Sequence, residues 1–73
     1  MTKAKFVICI RNSGYEVSLE LRKLYLVLPD AGAIAHGQIR VVDESGEDYL
    51  YPSSFFVPID LPASVAKLLA HAA

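Results

Sequence analysis

The sequence predicts an all-β domain: five short strands curled into a small barrel, followed by one short C-terminal α-helix. Three observations predict it. Branched and aromatic residues come in short runs of strand length and strand composition. Two of these runs, Ile39 to Val42 and Tyr49 to Tyr51, flank a polar turn centred on Ser45-Gly46, which is a hairpin signature. A Tyr-Pro-Ser-Ser-Phe-Phe segment at 51–56 follows that hairpin directly. The chain has 73 residues, so it is a single domain, 1–73, with the barrel over 4–59 and the helix over 61–72.

Phe6 to Ile10 is a continuous apolar run, which reads as a strand covered on both faces. Arg11-Asn12-Ser13-Gly14 breaks it, since Asn and Gly accept turn geometry. Tyr15 to Leu21 alternates poorly and reads as an irregular excursion, with a helical turn near Ser18 to Leu21. Lys23 to Leu28 is the second strand: Leu24, Leu26 and Leu28 share one face, Tyr25 and Val27 the other. Pro29-Asp30 stops it. Ala31 to Gly37 fits one helical turn in a loop. Gln38 to Asp43 and Glu47 to Tyr51 are the third and fourth strands. Pro52 has a fixed φ and the two serines after it bond locally, which predicts a 3₁₀ turn over Ser53 to Phe55. Phe56 to Ile59 is the last strand. Asp60-Leu61-Pro62 opens the helix, with Asp60 as its cap and Val65, Leu68 and Leu69 on one face. His71 stands beside the carbonyl end of that helix.

This order of elements is that of an SH3-like barrel. Pro52-Ser53-Ser54-Phe55 resembles the Pro-Ser-Asn-Tyr signature at the 3₁₀ turn of SH3 domains. The chain also resembles a group of small bacterial and phage proteins. Their pattern appears here as Cys9, Ile10, Asn12, Gly14 and Tyr15, then Lys23 and Tyr25, then Asp43 to Pro52. That second resemblance covers most of 5–59 and implies no activity. Polyproline recognition does not carry over from the first, because the chain has no Trp and its aromatic groove is incomplete.

Net charge is −1, and no basic excess exists to neutralise many phosphates. The apolar run near the N-terminus is too short for a secretory signal core or a membrane span. A single cysteine and no export signal point to the cytoplasm. No nucleophile, base and orienting group can be assembled, so the expectation is a binding module rather than an enzyme. Cys9 lies in an apolar strand and reads as core filler. His36 and His71 cannot hold zinc by themselves. Asp43, Glu44, Glu47 and Asp48 lack the ligand spacing of a calcium loop and read as a solvated turn. Neither a metal nor a cofactor is expected.

The residues singled out for binding are aromatic: Tyr15, Tyr25, Tyr49, Tyr51 and Phe55. Tyr49 and Tyr51 share one face of the fourth strand. If Leu50 points inward, that face is an exposed aromatic surface, fit for a protein partner. A nucleic-acid partner is the alternative, with Arg22, Lys23 and Arg40 as its cations. A chain this short, with no disulfide to staple it, is expected to be either a two-fold homodimer through the helix or the aromatic face or an unusually well-packed monomer. The sequence leaves open whether the helix packs on its own barrel or on another chain.

Overall fold

The computed structural model describes residues 5–72, with side chains for 5–69. Residues 1–4, where the barrel was expected to begin, and the side chain of His71 lie outside that description. Five strands form one antiparallel sheet: β1 Lys5–Cys9, β2 Leu24–Leu28, β3 Gln38–Val42, β4 Asp48–Pro52 and β5 Phe56–Ile59. A short helix, α1 (Ala31–Ala35), lies between β2 and β3. A 3₁₀ turn, Ser53–Phe55, joins β4 to β5, and a second helix, α2 (Ala63–Ala72), follows β5. Each predicted strand is present within a residue or two.

The sheet order is β4-β3-β2-β1-β5. Val7 lies opposite Tyr25, Cys9 opposite Phe56, Val27 opposite Val41, and Ile39 opposite Tyr51. These residues share the inner face and, with Leu19 and Phe55, make the core. Leu24, Leu26 and Leu28 fall on the outer face, as their alternation requires.

The predicted barrel is not closed, because no ladder joins the edge strands β4 and β5. The physical reason lies partly in proline. The Ile10 amide donates to the Phe55 carbonyl, so in the alternating ladder Val57 and Ile59 bond toward β1 and Pro58 faces the open edge. Pro58 has no N–H to offer there, and Pro52 ends β4 in the same way. The same device blunts both edges against pairing with other chains.

Local signals explain the connections. Asp30 caps α1, with its Oδ1 accepting from the Ala33 amide at 3.0 Å. Its Oδ2 accepts from Arg40 Nε at 2.9 Å, so the helical turn is pinned to β3. α2 begins at Ala63, and the Pro62 carbonyl accepts from the Val65 and Ala66 amides. The cap position therefore falls at Pro62 rather than at Asp60.

In the β3–β4 hairpin the Asp43 amide donates to the Glu47 carbonyl and the Gly46 amide to the Asp43 carbonyl. Gly46 sits at φ +85 with open space around a would-be Cβ. Substitution there is opposed by backbone geometry, not by a clash. Gly46→Val is expected to destabilise the fold by more than about 1 kcal/mol. Urea melts of the two proteins that coincide would contradict this.

Candidate interaction surface

The structure does not gather the five predicted aromatics into an exposed face. Tyr25, Tyr51 and Phe55 are buried in the core. Only Tyr15, 41% exposed, and Tyr49, 49% exposed, reach solvent. Leu50 points outward, opposite Arg40, so the odd-numbered residues of β4 turn inward. Tyr15 leans edge-on against Tyr51 and Phe55, with ring centroids 5.0 and 5.9 Å away. These contacts hold the excursion between β1 and β2 against the 3₁₀ turn. Tyr49 lies at the hairpin end, its hydroxyl donating to Glu47 at 2.9 Å.

The buried tyrosines are held by carboxylates from the hairpin, so the acidic turn is only partly the solvated one expected. Asp43 is buried. Its Oδ2 accepts from the Tyr51 hydroxyl, and its Oδ1 accepts from the Ser45 hydroxyl and the Ser45 amide. The Tyr51 hydroxyl also lies 3.0 Å from Ser18 Oγ, which ties the hairpin to the excursion. Burial pushes the Asp43 carboxyl up, but the hydrogen bonds from Ser45 and Tyr51 outweigh it and the net shift is downward. Glu44 accepts from the Tyr25 hydroxyl at 2.6 Å and pairs with Lys23 Nζ. Lys23 and Tyr25 together hold its carboxyl below the usual glutamate range. Burial first, and then the Glu44 carboxylate, lift the Tyr25 hydroxyl well above the ordinary tyrosine range.

Cys9 is fully covered, its thiol donates to the Arg11 carbonyl at 3.2 Å, and burial pushes its pKa up. Among the described residues no cluster of His, Cys, Asp or Glu is placed to hold a metal ion. No buried side-chain polar atom among them lacks a hydrogen-bond partner.

The surface that stands out is aliphatic, on the outer face of the sheet. β1 and β5 carry Phe6, Ile8, Val57 and Ile59 there, and β2 adds Leu24 and Leu26. α2 covers part of this face: Ala66 is buried and Leu69 half-buried, while Val65 and Leu68 stay exposed, Leu68 at 71%. The predicted helix face is thus divided between two ridges. Beside α2 lies a groove of about 390 Å³ walled by Phe6, Leu24, Leu26, Val42 and Leu69. Lys23 and Glu44 stand at the groove as well, already bound to each other. Beyond the Leu24–Ile8 pair the apolar surface continues to Val57 and to Ile10, which is 54% exposed.

This patch was missed among the candidate residues, although it had a signal. Phe6 to Ile10 shows no alternation, and Leu24, Leu26 and Leu28 face away from the tyrosine that joins the core. A strand apolar on both faces needs a cover on each. Compared with protein-family models, with curated proteins and with solved structures, the chain matches none of them.

Proposed function

We propose that this chain is a cytoplasmic, non-catalytic protein-interaction domain, an open sheet of SH3-like strand order that binds its partner through the uncovered strip of its outer face. The observation that carries the reading is a sheet apolar on both sides. The inner side is filled by Leu19, Phe55 and the tyrosines, while α2 covers the outer side only in part. Exposed apolar patches of this kind mark interaction sites. The SH3-like assignment is supported by the strand order, the irregular excursion after β1 and the 3₁₀ turn between the last two strands. The ligand remains a protein, as the aromatic reading held, but the contact shifts from tyrosines to Ile8, Ile10, Leu24 and Val57.

The nucleic-acid alternative is less favoured. Lys23 pairs with Glu44 and Glu20, and Arg40 pairs with Asp30 and Asp48, so neither offers its full charge to phosphate. The test is position-specific photo-crosslinking in an extract of the native host. A photoreactive residue at Val57 is expected to form discrete adducts with other polypeptides, and Ile10→Asp to suppress them. The same group at Val17, which is 98% exposed on the excursion, is expected to form none. Equal labelling from both positions, or none from Val57, would defeat the reading. Adducts to nucleic acid would favour the alternative.

A further inference from the structure

We draw no further inference here: the strongest candidate, the apolar groove on the outer face of the sheet beside α2, walled by Phe6, Leu24, Leu26, Val42 and Leu69, is an unpartnered face, and nothing in the structure shows what covers it.

Discussion

Replacing Leu19 with alanine is expected to destabilise the protein by about 3 kcal/mol. Leu19 is 0% exposed, although it belongs to the irregular excursion between β1 and β2. It packs into the core cluster with Val7, Tyr25, Val41, Tyr51 and Phe56. The excursion is anchored around it. The Leu19 amide donates to the Tyr15 carbonyl, and the Asn12 side-chain amide donates to the Leu19 carbonyl at 2.9 Å. Truncation removes the transfer free energy of the side chain and leaves a cavity that this pinned backbone cannot collapse to fill. Domains are stable by only about 5–15 kcal/mol, so the loss is a large part of the total. Val17→Ala, two residues away and fully exposed, is expected to change stability by less than about 0.5 kcal/mol. Urea denaturation of the three proteins measures both differences. A Leu19→Ala effect under about 1 kcal/mol would mean that the excursion is not part of the cooperative core.

Asp43 is expected to be the second critical position, with a loss of about 3 kcal/mol on replacement by alanine. The substitution leaves the Ser45 amide and hydroxyl without their acceptor and withdraws the carboxylate from the buried Tyr51 hydroxyl. The same group makes stability depend on pH. Its pKa is lower in the folded protein than its ordinary value of 3.8. A depressed folded pKa gives stabilisation that is fully present above the unfolded value and is lost as pH falls through the folded one. Asp30 and Glu44 shift in the same direction, Asp30 chiefly through the Ala33 amide and Glu44 chiefly through Lys23, so they steepen the acid limb. Urea midpoints for wild type and Asp43→Asn, taken at about pH 6 and about pH 2.5, separate the contributions. The asparagine variant is expected to be less stable at the higher pH and to lose less on acidification. Parallel falls in the two proteins would show that Asp43 stays out of the linkage.

The positions of the strands, the hairpin turn, the 3₁₀ turn and the C-terminal helix were legible because each rests on local chemistry. Gly46 supplies the positive φ that its turn requires. Pro52 presets the backbone entering the 3₁₀ turn, at φ −58. Pro29 follows the last residue of β2, and the Asp30 side chain then caps α1. Such signals act over a few residues and need no knowledge of what lies across the molecule.

The interaction surface was less legible, and β4 shows why. Tyr49, Leu50 and Tyr51 are all apolar enough to face either way, so alternation does not choose a side. The choice came from residues distant in sequence: Ser18 and Asp43 receive the Tyr51 hydroxyl on the inner side, and Arg40 stands opposite Leu50 on the outer. Tyr25 was settled in the same way, by the Glu44 carboxylate 19 residues on and the Glu20 amide that bind its hydroxyl. A tyrosine can be buried when its hydroxyl finds a partner, and no local pattern shows whether one exists.

What the amino-acid sequence alone determined is the order and type of the elements, because turn geometry, proline and strand alternation are short-range. What the tertiary structure decided is which faces are inside. It put Leu19 of an irregular excursion at the centre of the core, and it split the helix face so that Leu69 faces the sheet and Leu68 faces out. It also left the sheet open where Pro58 meets its edge. These outcomes depend on pairings between residues far apart in the chain, where packing and hydrogen-bond satisfaction outweigh any local preference.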